Sequence, residues 1–203
     1  MIDFSKYQIL SSTILHSRLI DENKINLYIN QLNNDDLILY NDIKSIKRKK
    51  EFITIRVLLK QYFKIESTLY YINQKPYLKN DYFISISHKD QELIIGINQK
   101  HQIGIDIEKI NPKISKIKSK FCNRKELVNL DKNENIEILT KHWCAKEATF
   151  KCLDFQENIF LTDINVDLFS EYEGRSENKN LKFKLNFSIS DNEYVICHAQ
   201  KEN

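Results

Sequence analysis

At 203 residues with 41% hydrophobic side chains, the chain can bury a substantial core, which excludes wholesale disorder. Only three glycines and two prolines are present, which excludes collagenous and linker-like designs. The 31 basic and 28 acidic residues leave a net charge of +3, a balance that gives nucleic-acid binding little support. The four cysteines, Cys122, Cys144, Cys152 and Cys197, form no C-x-x-C pair in a chain too large to need staples. Reduced core thiols in a cytoplasmic protein are expected. Residues 1–6 lack a basic stretch leading into an apolar one, and apolar runs such as 93–97 are far too short for a bilayer. Neither a signal peptide nor a membrane helix is expected.

In chain order, the first feature is the cluster Lys44, Lys47, Arg48, Lys49 and Lys50, which suits either a phosphate-rich ligand or a solvated helix face. Over 46–63, Phe52, Ile55, Leu58, Leu59 and Phe63 recur at three- and four-residue intervals and predict an amphipathic helix. Residues 82–87 alternate as a half-buried strand, and 93–98 with 103–108 read as a hairpin joined by the polar segment 99–102. The polar, Pro-containing stretch 109–113 is the best boundary, giving lobes of 1–110 and 111–203. Beyond it, Asn123 with Glu126 has capping-box spacing, and a longer helix is predicted over 135–153. Strands are predicted at 160–168, 181–189 and 194–199, with 170–180 as a charged loop. The fold class is α+β: two similar lobes, each a helix packed on a small antiparallel sheet, related by pseudo-twofold symmetry.

Three constellations carry chemistry. In Gly104-Ile105-Asp106-Ile107-Glu108, strand alternation projects Asp106 and Glu108 side by side. Such carboxylates repel unless a cation lies between them, and hard divalent ions favour oxygen ligands, although an exposed acidic strand face is common. In the long helix, Trp143, Glu147 and Lys151 share a face; Glu147 and Lys151 alone would be an ordinary surface ion pair. The segment Ser85-Ile86-Ser87-His88 ends a strand at a histidine, on a rim where a ligand can reach it.

These pieces, in this order, resemble the 4′-phosphopantetheinyl transferase superfamily. Its G-[IV]-D-[IV]-E element stands as Gly104 to Glu108, its W-x-x-K-E-A-x-x-K element as Trp143 to Lys151, and its S-I-S-H element as Ser85 to His88. Its F-x-x-x-x-E feature stands at Phe121 and Glu126. The resemblance spans residues 44–151 by motif and favours the two-lobed monomeric branch. Two positions depart from the pattern: Gln74 replaces the glycine common before Lys75-Pro76, and Lys89 follows the histidine where serine is frequent.

The resemblance implies a Mg²⁺-dependent transferase that moves phosphopantetheine from coenzyme A to a serine of an apo acyl or peptidyl carrier protein and releases adenosine 3′,5′-bisphosphate. It implies that Asp106, Glu108 and Glu147 hold the ion and that Lys151 and His88 meet cofactor phosphates, with Ser87 beside them. Arg56 and Lys75 match nucleotide-end positions, and Arg48 is added from local charge. The proton acceptor stays open among Glu147, Glu126 and a relayed water, the last preferred. No membrane or nucleic-acid partner is expected. The rival is a noncatalytic module that binds carrier protein or nucleic acid. Another Mg²⁺-dependent phosphotransfer has little support, because no glycine-rich phosphate loop is present.

Overall fold

Two antiparallel sheets, each backed by one long helix, meet at a shared apolar layer. The computed structural model describes residues 1–64, 69–79, 81–130, 135–153, 159–191 and 193–202. In chain order the elements are β1 (Phe4–Ile9), β2 (Ser12–Arg18), α1 (Ile25–Tyr28), α2 (Asn34–Asp42), α3 (Ile46–Phe63), β3 (Leu69–Ile72), β4 (Lys75–Leu78), β5 (Phe83–Lys89), β6 (Glu92–Asn98) and β7 (Ile103–Lys109). A 3₁₀ stretch, Pro112–Lys120, leads to α4 (Arg124–Leu130) and α5 (Ile136–Cys152), then β8 (Asn165–Leu168), β9 (Glu173–Asn178), β10 (Leu181–Ser190) and β11 (Tyr194–Lys201). The first sheet has the order β1-β2-β6-β5, the second β7-β11-β10-β9-β8, and β3-β4 form a separate hairpin. The α+β class holds, with helix-on-sheet lobes.

Several expectations are corrected by the ladders. β6 and β7 do not form a hairpin: β6 pairs with β2 and β5, whereas β7 pairs with β11. Alternation alone cannot say which strand a neighbour in sequence will pair with, and residues 99–102 carry the chain from one sheet to the other. The acidic strand, assigned to the first lobe by a division at 110, is therefore hydrogen-bonded into the second sheet. The charged segment 170–180 contains β9, and 160–168 holds a 3₁₀ turn before the short β8. Gln74, standing where glycine is common, sits in a turn with two left-handed residues, Asn73 at φ 48° and Gln74 at φ 67°, the backbone of a type I′ hairpin turn.

Helix α3 starts where Ser45 accepts the Arg48 amide and stops at left-handed Lys64. Its Ile55, Leu58 and Leu59 cover one face of the first sheet through Leu15, Leu93, Ile95 and Ile97. Helix α5 is capped by Asn135, which accepts from the amides of Glu137 and Ile138. It covers the second sheet with Cys144, Ala145, Ala148 and Cys152 against Phe183, Leu185, Val195 and Cys197. The opposite sheet faces meet each other: Ile14 and Ile94 pack with Ile105, Ile107 and Ile196. All four cysteines are buried, and burial first, aided by Asp106, pushes the Cys144 and Cys197 thiols well above their ordinary range. That environment makes them inert.

Between the lobes lies a polar knot. His198 of β11 shares a 2.9 Å hydrogen bond with the Ser12 hydroxyl, which also accepts from Asn98 at 2.8 Å. Burial lowers the His198 pKa from 6.5 to about 4. The unfolded chain therefore binds this proton first, so stability from this group is complete above about pH 6.5 and is lost as pH falls towards 4, to a limit of roughly 3 kcal/mol. Urea melts at pH 7 and pH 4.5 should show that His198→Asn loses less stability on acidification than the wild type, by about 2 kcal/mol. Equal losses would show that His198 carries no such penalty.

Candidate active site

The packing of α5 on β7 builds the site. Alternation puts Gly104, Asp106 and Glu108 on the strand face that looks at the helix. From Glu108 back to Gly104 the strand covers about 13 Å, and from Trp143 to Cys152 the helix climbs about 13 Å, so the two elements run antiparallel in step. At one end the Trp143 indole N–H donates to Glu108 Oε1 at 3.0 Å. In the middle Lys151 Nζ donates to Asp106 Oδ1 at 2.7 Å and to the Ile105 carbonyl at 3.2 Å. At the other end a Cβ on Gly104 would lie 1.8 Å from the Ala148 carbonyl oxygen, so only glycine allows this approach.

The first lobe completes the site through β5. Its edge lies beside β7 without a backbone ladder among the described residues; side chains bridge the gap. Ser85 Oγ accepts the Ile105 amide at 2.9 Å, and Ser87 Oγ donates to Asp106 Oδ1 at 2.7 Å. Two residues further along both strands, Lys89 Nζ meets Glu108 Oε2 at 2.5 Å. The matched two-residue steps place Ser87 and Lys89 on one face of β5 and Asp106 and Glu108 on one face of β7. His88 points the other way, to Glu51 of α3 at 2.9 Å.

The electrostatics tie Glu147 to the strand pair. Burial first, then the charge of Asp106, raises the Glu147 carboxyl above its ordinary value; Glu108 adds to this and Lys151 opposes it. Burial works against the charge on Lys89, but the bond to Glu108 and the fields of Glu108, Asp106 and Asp90 outweigh it and raise the ammonium pKa. Asp106 is only 4% exposed, and its Oδ2 is buried with no hydrogen-bond partner among the described residues. As they stand, no three His, Cys, Asp or Glu side chains among the described residues converge closely enough to hold an ion. Lys151 and Lys89 instead occupy one oxygen of each strand carboxylate.

The remaining expected site residues divide. Lys75 of β4 donates to the Leu153 carbonyl at 3.1 Å, joining the small hairpin to the end of α5. Arg48 lies exposed in the first turn of α3. Arg56, expected at the nucleotide end, is instead an interior residue: its guanidinium pairs with Asp36 at 2.5 Å and covers the Phe52 ring at 3.4 Å, with 5% of the side chain exposed. Glu126 is likewise drawn into the fold. Its Oε2 accepts from Lys146 at 2.8 Å and from the Asn123 amide at 2.9 Å, and its Oε1 accepts the Val166 amide at 3.0 Å. The reason is Lys146, a cation with no exposure that needs an internal anion. Phe121 packs edge-on to Trp143 at 5.0 Å and steadies the indole over Glu108. Residue-by-residue reading gave Trp143 no partner on the strand and did not pair Lys89 with Glu108. The signal for that pair was the common parity of Ser87 with Lys89 and of Asp106 with Glu108.

Two comparisons bear on this arrangement. Residues 102–199 match the 4′-phosphopantetheinyl transferase superfamily, a span that begins just before β7 and ends within β11. The chain is also similar to the 4′-phosphopantetheinyl transferase gsp of Aneurinibacillus migulanus, with 31% identity over 82 residues, or 39% of this chain and 34% of the relative. The matched span thus covers about a third of that relative's length. The span contains Asp106, Glu108, Glu147 and Lys151, the groups that face one another between β7 and α5. The similarity to that superfamily thus rests on residues 102–199, just under half of the chain.

Proposed function

We propose that the chain transfers the 4′-phosphopantetheine arm of coenzyme A to a serine of an apo carrier protein, forming a phosphodiester at the serine oxygen and breaking the bond to adenosine 3′,5′-bisphosphate. The observation that carries this reading is Asp106, a buried carboxylate at the seam of two sheets with one oxygen unsatisfied and a third carboxylate, Glu147, in its field. A buried charge with a spare lone pair is costly unless a cation meets it. The donor set suits Mg²⁺, which takes carboxylate oxygens and leaves positions for water and phosphate. Asp106, Glu108 and Glu147 would hold the ion, which when bound neutralises charge on the diphosphate and the leaving group.

The chain's own groups do the rest. Lys151, tethered by the Ile105 carbonyl as well as by Asp106, supports the role of a phosphate-binding point charge. Ser87 holds Asp106 in place, and His88 and Lys75 are the proposed phosphate contacts on the first lobe's side. Arg48, exposed beside Lys44 and Lys47, adds charge for the nucleotide end. Glu126, with both oxygens engaged, is not proposed as proton acceptor, and Arg56 is not proposed as a nucleotide contact. As a ligand of the ion Glu147 would be a weak base, so the serine proton is proposed to leave through a relayed water, with Glu147 as the other candidate.

The test is intact-mass spectrometry of apo acyl and peptidyl carrier proteins incubated with this protein, coenzyme A and Mg²⁺. A gain of one phosphopantetheine arm that EDTA abolishes is expected. The lysine pairing of both strand carboxylates favours a second reading, a noncatalytic carrier-binding module. Carrier binding without any mass gain would decide for it.

A further inference from the structure

We propose that Lys89 is a built-in competitor for the divalent cation, a tethered ammonium that holds Glu108 until an ion displaces it. This rests on the ion-binding reading above and concerns this chain's own departure from serine after His88.

The case starts from the two oxygens of Glu108. Oε1 accepts the Trp143 indole N–H at 3.0 Å, and the ring is fixed edge-on against Phe121. An indole N–H is a donor only, so Oε1 is anchored to the helix. Oε2 is the oxygen left to meet a cation, and Lys89 Nζ stands on it at 2.5 Å. An ammonium and a divalent ion on one carboxylate oxygen repel strongly. Glu108 therefore joins Asp106 and Glu147 around an ion only when Lys89 leaves.

The surroundings make that exchange feasible. Lys89 is 39% exposed along its side chain, whereas Glu108 is 17% exposed, so the lysine is the mobile partner. A cleft of about 350 Å³, lined by Lys89, Asp90, Glu108, Lys109 and Trp143 among others, opens beside the pair. Asp90 lies close enough for its charge to act on Lys89 and offers a displaced ammonium a second carboxylate. Asp106 shows the complementary feature: its buried Oδ2 is unpartnered, ready for an ion even while Lys151 holds Oδ1. Each of the two strand carboxylates is thus paired with a lysine without metal, and of the two Asp106 has the unpartnered oxygen for the first contact.

The experiment measures Mn²⁺ binding to the full chain by isothermal titration calorimetry, without coenzyme A, for wild type, Lys89→Ser, Lys89→Arg and Asp106→Asn, with thermal melts confirming folding. Lys89→Ser should bind Mn²⁺ at least about tenfold more tightly than wild type, the return for removing one adjacent positive charge. Lys89→Arg should stay within about threefold of wild type, and Asp106→Asn should lose binding. Equal affinities for wild type and Lys89→Ser, with binding lost in Asp106→Asn, would overturn the role of Lys89 and leave the ion site standing. No Mn²⁺ binding by wild type and Lys89→Ser alike would overturn the ion site itself, and this inference with it.

Discussion

Asp106→Asn is expected to lower phosphopantetheine transfer by at least about 10³-fold, as removal of a preorganised charge at a phosphoryl-transfer centre does. The substitution is isosteric and keeps an oxygen for the Ser87 hydroxyl, so a failure to turn over would not come from lost shape. It removes the charge that Lys151 faces at 2.7 Å and the one oxygen of the site that is buried and unsatisfied. Lys151 retains the Ile105 carbonyl and is 28% exposed, so the fold should survive with a cost of about 1–2 kcal/mol. Repulsion between neighbouring carboxylates alone would have predicted no cost; the lysine partner reverses that expectation.

Glu147→Gln should separate from it in stability while sharing its loss of activity. The folded-state pKa of Glu147 lies above its ordinary value, so its charged form is penalised by folding. The penalty is present in full above the folded pKa and absent below the ordinary value of 4.5. In metal-free buffer at pH 7.5 the variant should melt higher than wild type by ~2–4 °C, a gain that fades on acidification. Carrier modification followed by mass spectrometry, with urea and thermal melts, checks both variants. Full activity in either would remove the acidic group from the reaction.

Gly104→Ala carries the largest expected effect on the fold. The added carbon would meet the Ala148 carbonyl oxygen at 1.8 Å, its carbon at 2.9 Å and the Cys152 amide nitrogen at 2.9 Å. All three obstacles are backbone, so no rotamer change relieves them; α5 must lift from β7. Gly104 has no positive φ, so the need is for space and not for unusual dihedrals. A loss of about 4 kcal/mol is expected, with a fall of ~10 °C in Tm, from urea and thermal denaturation. Wild-type stability would show that α5 is not seated as described. Because Trp143, Glu147 and Lys151 ride on that helix, any folded remnant should also lose the raised pKa of Glu147.

Much of this was legible in the sequence because it is local. The three-and-four spacing of Ile55, Leu58, Leu59 and Phe63 marked α3, the Asn123–Glu126 spacing marked a capping box that forms in both directions, and alternation set the faces of β7. Of the motif residues, Lys151 pairs with Asp106, and Glu147 lies within reach of the Asp106 charge. What escaped was non-local. β1 and β2 were not recognised because Phe4 to Arg18 mixes polar and apolar side chains without clean alternation, its burial shared between α3 on one face and the second sheet on the other. The interior ion pairs of Arg56 and Glu126 escaped because a charged side chain in a motif gives no sign of whether its counter-ion, here Asp36 or Lys146, waits in the interior.

Where β5 passes β7, hydroxyls do the work that peptide groups do inside each sheet. A ladder would hold the two strands at the invariant spacing of about 4.8 Å and tie their registers together. Joined through Ser85 and Ser87, β5 and β7 owe their local separation to the reach of two small side chains. Drift at those two codons can therefore re-gap the halves, one residue at a time, while both registers stay as they are. The width of the gap between β5 and β7 becomes a heritable dimension that selection can tune without refolding anything.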